Sequence, residues 1–322
     1  MNSNIDTFLS SFTLKIKTQH AYHLKHIYAD YVELVALFSN LNPISATTFL
    51  DRLSDEGIGI PNVDDSERAI ESEKRQSFGF KVFNILEERA NIYENDYPFI
   101  FQNRLIRIKD KKDLTSKNKI YLILLLSSNL DIFGKFNSWL TSDFEIVSSY
   151  VLRDYLPEFA IVKTLGNNSD YSGYSIDKIR NLADDMQLDI DEKSLLHINP
   201  KATKEKGLDL IGWIPSNDKA GNIFTLLCQC ACGKDWFKKQ NETKRYLKYI
   251  KFSCLTPTSV MFIPYALVSN NISSFYQYDE ISEQLIFERK RIIHFLKDTT
   301  FLDDLHSSEL IEKLIDFEED IV

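Results

Sequence analysis

Three polar residues stand in or beside apolar runs between Lys206 and Trp236. Asp209 lies in "GLDLIGW", Gln229 lies in "FTLLCQCA", and Lys234 follows five residues after Gln229. Polar side chains in buried strands cost free energy unless they are hydrogen-bonded or take part in chemistry. A carboxylate and an amide carbonyl offer oxygen ligands to a hard divalent cation, and a lysine can position a water or stabilise a phosphate. Together these residue types suit the hydrolysis of a phosphodiester.

The spacing predicts a β-hairpin that brings the first two residues together. Between the two apolar runs, "PSNDKAGN" supplies the turn-forming residues Asn217, Asp218 and Gly221. Alternation along a strand places successive side chains on opposite faces of the sheet. We therefore expect Asp209 and Gln229 to be neighbours on one face of an antiparallel hairpin, with Lys234 just beyond the strand.

The order of these residues resembles the PD-(D/E)xK nuclease superfamily. An aspartate is followed twenty residues later by a glutamine, and a lysine comes after it. In the family the lysine stands two residues after the Glu or Gln, but Ala231 occupies that position here, so Lys234 would take the lysine's role. The upstream helical glutamate of many such nucleases matches Glu145 in "SDFEIVSSY". The text around Asp209 and Gln229 also resembles a subgroup found among bacterial anti-phage and restriction genes, over residues 140–295.

This resemblance implies a metal-dependent DNA endonuclease. Asp209, Gln229 and Glu145 would hold Mg²⁺ or Mn²⁺, and Lys234 would position the attacking water. Many such nucleases cut as homodimers, and a helicase or ATPase partner would deliver DNA to a chain that carries no motor. These statements are expectations from the resemblance.

A basic segment follows the proposed site. From Lys234 to Lys251 there are seven basic residues against the acidic Asp235 and Glu242, and aromatic residues are interleaved. In a chain of net charge −9, this is a local cationic stripe on which phosphates can lie. The alternative is a solvated helix face with its aromatics in the core. The expected nucleic-acid contacts are Lys206, Lys238, Lys239, Lys244, Arg245 and Lys248.

The pattern of elements predicts an α/β fold. Residues 137–322 read as helix, strand, strand, helix, strand and helix, which suggests a mixed central β-sheet flanked by helices, as in restriction endonucleases. Residues 1–136 read as a mostly helical N-terminal domain for target recognition or docking. A chain of 322 residues makes two domains the natural expectation.

Hydropathy and sequence motifs argue against several other classes of protein. There is no signal peptide pattern and no apolar run long enough to span a membrane, so a cytoplasmic protein is expected. The absence of GxxxxGK[ST], GxGxxG and GxSxG patterns removes support for ATPase, dinucleotide-binding and α/β-hydrolase functions.

Three alternatives stay open at this stage. The first is a non-catalytic nucleic-acid- or protein-binding subunit with a nuclease-like fold, favoured by Gln229 and Ala231. The second is a purely structural scaffold. The third is a zinc site formed by Cys228, Cys230, Cys232 and Cys254, although this spacing differs from CxxC knuckles and buried thiols are the simpler interpretation. His20, His23 and His26 recur every third residue, where polar helix surface is expected.

Overall fold

A computed structural model describes residues 2–16, 24–39, 41–58, 68–203 and 207–317. Its first part contains α1 Asn2–Leu9, α2 Lys25–Phe38, α3 Ala46–Asp55, α4 Arg68–Tyr93, β1 Phe99–Gln102, β2 Leu105–Ile108 and α5 Ser116–Ser127. Then come α6 Asn137–Tyr155, β3 Ile161–Thr164, α7 Ser175–Met186, α8 Glu192–Leu195, β4 Leu210–Trp213, β5 Thr225–Cys230 and β6 Thr258–Phe262. The last elements are β7 Val268–Ser269, β8 Ser274–Phe275, β9 Leu285–Phe287, α9 Arg289–Phe295 and α10 His306–Ile315. None of the helices in these ranges is both long and apolar enough to cross a membrane.

The chain forms two compact units that are not continuous in sequence. The first contains Met1–Phe136, Ala266–Tyr278 and Phe301–Val322, and the second contains Asn137–Tyr265 and Asp279–Thr300. The sequence analysis had placed residues 266–278 and 301–322 in the second domain. Within the described residues, 266–278 and 301–317 belong to the first unit, which contacts them through buried side chains.

Contacts of the two returning segments explain this assignment. Glu88 of α4 accepts hydrogen bonds from Ser269 Oγ at 3.0 Å, from the Asn271 amide at 2.8 Å and from Tyr276 Oη at 3.0 Å. Helix α10 buries its apolar face, including Leu314, against α2 and α5. Neither contact is visible as a local sequence pattern.

A buried charge network organises the interior of the first unit. Helix α2 is buried almost along its whole length, and Asp30 and Glu33 are enclosed with it. Arg89 Nη1 lies 2.7 Å from Asp30 Oδ1 and 2.8 Å from Glu33 Oε1, and Tyr97 Oη donates to Glu33 Oε1 at 2.7 Å. Burial alone would lower the pKa of Arg89, but the two carboxylates raise it overall, so the guanidinium stays charged. The network pairs the guanidinium of Arg89 with two carboxylates inside the core, which is a structural role.

A mixed five-stranded sheet with helices on both faces forms the second unit, which confirms the α/β expectation. The strand order is β3–β4–β5–β6–β9. Strand β4 runs antiparallel to both of its neighbours, β3 and β5, whereas β5, β6 and β9 run parallel. The predicted hairpin is present, with Leu210 opposite Cys228 and Trp213 opposite Thr225. Strands β3 and β9 were not expected, and β9 lies in a segment predicted to be helical.

The two faces of the sheet are covered by different helices. Ile211, Trp213 and Leu227 pack in one apolar cluster with Ile179 and Leu182 of α7. Helix α6 lies on the opposite face, where a Cβ at Gly212 would be 2.6 Å from Leu156 Cδ1 and 3.3 Å from Leu152 Cδ2. Helix α6 begins at Asn137, so Ser142 and Asp143 are interior residues of this helix. The close approach of α6 to β4 brings Glu145 to the end of the hairpin.

We predict that Gly212→Ala destabilises the protein by about 1–2 kcal/mol, because the added methyl group overpacks the contact between α6 and β4. Gly233→Ala is the matched control, since a Cβ there meets nothing within 4 Å. Urea unfolding followed by circular dichroism measures both. Equal midpoints for the two variants would contradict the close packing of α6 on the sheet.

Candidate active site

The backbone of Asp209 joins three chain segments immediately before β4. Its carbonyl oxygen accepts hydrogen bonds from the Leu165 amide at 2.7 Å and from the Gly166 amide at 3.2 Å, beyond the end of β3. Its own amide donates to the Cys228 carbonyl on β5 at 3.0 Å. The residue is therefore fixed from both sides at one end of the antiparallel strands.

Regular strand alternation is interrupted at this position. Leu208 and Ile211 belong to the same apolar cluster, although an odd separation would place them on opposite faces of a regular strand. The carboxylate of Asp209 instead meets β5, where Oδ2 accepts a hydrogen bond from the Cys230 amide at 2.6 Å. A short, charge-assisted bond of this kind holds the carboxylate in one orientation.

Glu145 holds the loop that follows β3. Its side chain is 9% exposed, Oε2 accepts from the Asn167 amide at 2.7 Å, and Oε1 accepts from Asn167 Nδ2 at 2.9 Å. A Cβ at Gly166 would lie 2.5 Å from Glu145 Oε2, so a side chain there would displace the carboxylate of Glu145. The glutamate thus sits directly beside the loop whose amides bind the carbonyl of Asp209.

The two carboxylates converge on the cysteines of β5. Burial raises the pKa of Cys230 well above its usual value, and the charges of Asp209 and Glu145 raise it further, while a hydrogen bond with Ser148 of α6 lowers it. Burial and the same two carboxylates also raise the pKa of Cys232. Both acids therefore act on the same pair of thiols. Asp209 and Glu145 also share a neighbour, since the Gly166 amide donates to the Asp209 carbonyl and Gly166 lies against the Glu145 carboxylate.

Gln229 is adjacent to Asp209 in the strand register but has a different partner. Its Nε2 donates to Glu242 Oε2 at 2.9 Å. Its Oε1 is buried and accepts no hydrogen bond from the described residues. Strand alternation directs Gln229 to the face of Leu227, whereas Cys230 points to the opposite face. In place of the expected contact between these two side chains, Asp209 accepts a hydrogen bond from the Cys230 amide and Gln229 donates one to Glu242.

The lysine position has two candidates. Ala231 is 1% exposed, and Lys234 lies just beyond β5 and is half-buried. Lys239 is the second candidate because its charge lowers the pKa of Cys232, against the carboxylates that raise it. Lys239 thus acts electrostatically on the same thiol as Asp209 and Glu145. Its sequence position, ten residues after Gln229, gave no sign of this.

The basic stripe forms an exposed surface on two short 3-10 helices, Trp236–Lys239 and Glu242–Lys248, in place of the predicted α-helix. Asn241, at a φ of +66°, separates them. Trp236 and Tyr246 are buried, as the core alternative expected for the aromatics. The exposed cations are Lys238, Lys239, Lys244, Arg245 and Lys248. Lys206 lies outside the described residues.

The donor atoms suit a hard divalent cation in kind. Carboxylate oxygens of Asp209 and Glu145 are preferred ligands of Mg²⁺ and Mn²⁺, and Gln229 Oε1 is a buried acceptor that lacks a donor within the described ranges. No group of three or more His, Cys, Asp or Glu side chains that could hold a metal occurs in those ranges.

The cysteines and histidines considered in the sequence analysis lie in surroundings that fit structural roles. Zinc binds cysteine as thiolate, whereas burial raises the pKa of Cys228, Cys230 and Cys232, and Cys254 is exposed. His26 is buried in the first unit, while His20 and His23 lie outside the described residues.

Glu242 is the site residue that sequence reasoning missed. It is an isolated acid in a basic segment, thirteen residues from Gln229, and only the folded chain brings the two side chains together.

We predict that Asp209→Asn increases the alkylation rate of Cys230 at pH 8 by about threefold or more. Removing the negative charge lowers the pKa of the thiol and increases its thiolate fraction, while the Asn carbonyl can still accept from the Cys230 amide. Peptide mass spectrometry after timed iodoacetamide treatment measures each cysteine. Exposed Cys254 is the internal control, and an unchanged Cys230 rate would contradict the proximity of the carboxylate.

Comparisons with protein-family models, with curated proteins and with solved structures found no match for this chain.

Proposed function

We propose that this chain is a metal-dependent endonuclease that hydrolyses DNA phosphodiester bonds in bacterial anti-phage defence or restriction. The observation that carries the proposal is that Asp209 and Glu145 both contact Gly166, whose amide donates to the Asp209 carbonyl at 3.2 Å and whose Cβ position lies 2.5 Å from Glu145 Oε2. Two buried carboxylates beside an exposed cationic surface suit a site that binds a cation and a phosphate together. The sequence resemblance to PD-(D/E)xK nucleases agrees with this arrangement.

Each residue has a defined role in this proposal. Asp209 and Glu145 bind Mg²⁺ or Mn²⁺, and Gln229 adds its amide oxygen. The bound cation supplies Lewis acidity toward the scissile phosphate. Lys234 positions the attacking water, and Lys239 is the second candidate for that role because it acts electrostatically on Cys232, as the two acids do.

The wider surface has a role in this proposal as well. The exposed cations of the stripe bind the DNA backbone near the site, without reading its sequence. The first unit supplies target recognition or docking. By analogy alone, a helicase or ATPase partner delivers the DNA and two copies of the chain cut the two strands.

A second candidate function is a non-catalytic binding subunit with the same fold. Two observations favour it. Ala231 is buried and stands at the position where the resemblance expects lysine, and the amide group of Gln229 donates a hydrogen bond to Glu242. Such a protein binds nucleic acid through the stripe and cleaves nothing.

A plasmid assay separates the two functions. The wild-type protein is incubated with supercoiled and linear DNA in Mg²⁺, in Mn²⁺ and in EDTA. We expect metal-dependent nicking that Asp209→Asn reduces by about 100-fold or more, since it removes a ligand charge from the cation.

Lys234→Ala and Lys239→Ala are tested in parallel. The variant that loses activity identifies the lysine that positions the attacking water. Asp218→Asn is the matched control, because Asp218 is exposed in the turn at the other end of the hairpin. No cleavage by wild type in either metal, together with retained DNA binding, would favour the binding subunit.

A salt titration tests the stripe. We expect Lys244→Gln, Arg245→Gln and Lys248→Gln each to weaken DNA binding similarly for all sequences. Each should also reduce the slope of log K against log salt by about one, because one phosphate contact is lost.

The measurement uses fluorescence anisotropy of a short labelled duplex with the Asp209→Asn protein in EDTA. Lys193→Gln, an exposed lysine of the same unit on α8, serves as the control. Equal slopes for all of these variants would show that the stripe is not the DNA contact.

A further inference from the structure

An open polar cavity of about 430 Å³ lies on the surface of the first unit, beside α4. Four of its lining residues are spaced three or four apart on this helix and share one face, and two come from the turn between β7 and β8. They are Asn84, Glu87, Glu88, Asn91, Asn270 and Asn271. Most small-molecule sites are lined by apolar side chains, whereas every lining side chain here is an amide or a carboxylate. The cavity therefore suits a ligand that is itself polar.

One wall of the cavity is held in place by Glu88, which is 7% exposed. Its carboxylate accepts hydrogen bonds from Ser269 Oγ, the Asn271 amide and Tyr276 Oη. These bonds hold the β7–β8 turn, with its two lining asparagines, against α4. The neighbouring carboxylate of Glu87 is exposed and makes no hydrogen bond or ion pair with the described residues. It is therefore available to a ligand.

The charges of the lining residues select against an anion. Two carboxylates line the cavity, and no lysine or arginine of the described ranges does. A phosphate would be repelled here, in contrast to the basic stripe of the second unit. Carboxylates and amide oxygens accept hydrogen bonds, so a cationic group with several N–H donors fits best.

An arginine of the protein itself already lies at the edge of this cavity. Arg104, in the turn between β1 and β2, donates from Nη1 to Asn84 Oδ1 at 2.6 Å. Its Cζ lies 5.9 Å from the centroid of the Phe80 ring. A lining amide and an aromatic ring therefore receive one guanidinium together. A guanidinium suits such a place better than an ammonium, because it stacks on rings and donates several hydrogen bonds in one plane.

Exposed apolar side chains border the polar lining. Phe80 is 53% exposed one turn before Asn84 on α4, and Ile272 is 58% exposed beside Asn271 in the β7–β8 turn. Exposed aromatic and aliphatic side chains next to polar groups are typical of surfaces that bind proteins. A free small cation gains nothing from them, whereas a peptide segment can pack against both. This favours an arginine that belongs to another protein.

We propose that this face of α4 docks an arginine-bearing segment of a partner protein. The guanidinium pairs with Glu87, amide oxygens of the lining asparagines accept its remaining N–H groups, and the flanking residues of the segment pack against Phe80 and Ile272. This inference does not depend on the nuclease proposal. It assigns protein docking, and not DNA contact, to this surface of the first unit.

Fluorescence anisotropy with the full chain measures the binding. The probes are short labelled peptides in a glycine–serine background that carry arginine, lysine in its place, or neutral citrulline in its place. Glu87→Gln removes the available carboxylate. Glu73→Gln is the matched control, because it makes the same charge change at an exposed position of the same helix, about 21 Å along its axis.

We expect the arginine peptide to bind about fivefold more tightly than the lysine peptide and about tenfold or more tightly than the citrulline peptide. Glu87→Gln should weaken the arginine peptide about fivefold, and Glu73→Gln should change its affinity by less than about twofold. The urea midpoint of Glu87→Gln should equal that of wild type, because no described contact is lost.

A further variant tests the guanidinium already present. Arg104→Gln frees the ring of Phe80 and the oxygen of Asn84, so we expect the arginine peptide to bind about threefold more tightly. Lys74→Gln removes the same charge from an exposed position on α4 and should have a smaller effect. Equal affinities of these two variants would contradict a guanidinium site.

Three other results would overturn the inference. Equal binding of the three peptides would show that the surface does not select a guanidinium. Equal losses in Glu87→Gln and Glu73→Gln would reduce the binding to general attraction by an acidic chain. Binding of the neutral oligosaccharide maltopentaose that Asn91→Ala abolishes, without any preference among the peptides, would assign the cavity to a carbohydrate.

Discussion

The arrangement of the second unit depends on the hydrogen bond from the Cys230 amide to the carboxylate of Asp209. At this end of the β4–β5 ladder a side chain takes the place of a backbone acceptor. Strand alternation is interrupted as a result, and the carboxylate acts on the cysteines of β5 together with Glu145. The carbonyl of the same residue binds the amides of Leu165 and Gly166, so β3, β4 and β5 meet at Asp209.

The position of helix α6 beside this hydrogen bond depends on close contacts at two glycines. At Gly212 the helix lies so close to the sheet that a methyl group would overlap Leu156, and at Gly166 the loop lies against the carboxylate of Glu145. The position of Glu145 therefore follows from the close packing of α6 on β4 and from the contacts of its carboxylate with the loop after β3. Nearby Lys239 adds the opposite charge within an acidic chain.

Features with a local cause could be predicted from the sequence. The hairpin follows from turn residues between two apolar runs, and the cap of α3 follows from Ser45, whose Oγ accepts from the Thr48 amide at 3.1 Å. Strands β3 and β9, of four and three residues, are too short for their alternation to be recognised. Glu288 caps α9 directly after β9, so the helical pattern of "FERKRIIHF" obscured the strand before it.

The site was predictable only as far as residue types and order allow. Asp209, Glu145 and Gln229 were singled out, but their partners are set by tertiary contacts that no spacing encodes. One interrupted strand position is enough to direct Asp209 and Gln229 to different neighbours. Glu242 comes to Gln229 because the 3-10 helix that carries it packs against β5.

The discontinuous first unit has a consequence for the order in which the chain can fold during synthesis. The first unit starts earlier in the chain, yet it needs residues 301–317, which leave the ribosome after every segment of the second unit. Until then α2 and α5 lack the apolar face of α10, and Glu88 lacks its donors until residues 269–276 have been made. The sheet that carries the candidate site can therefore be complete before the unit that precedes it in the sequence. A nascent chain of this kind exposes its helical half for longest, and that half is where a chaperone would be needed.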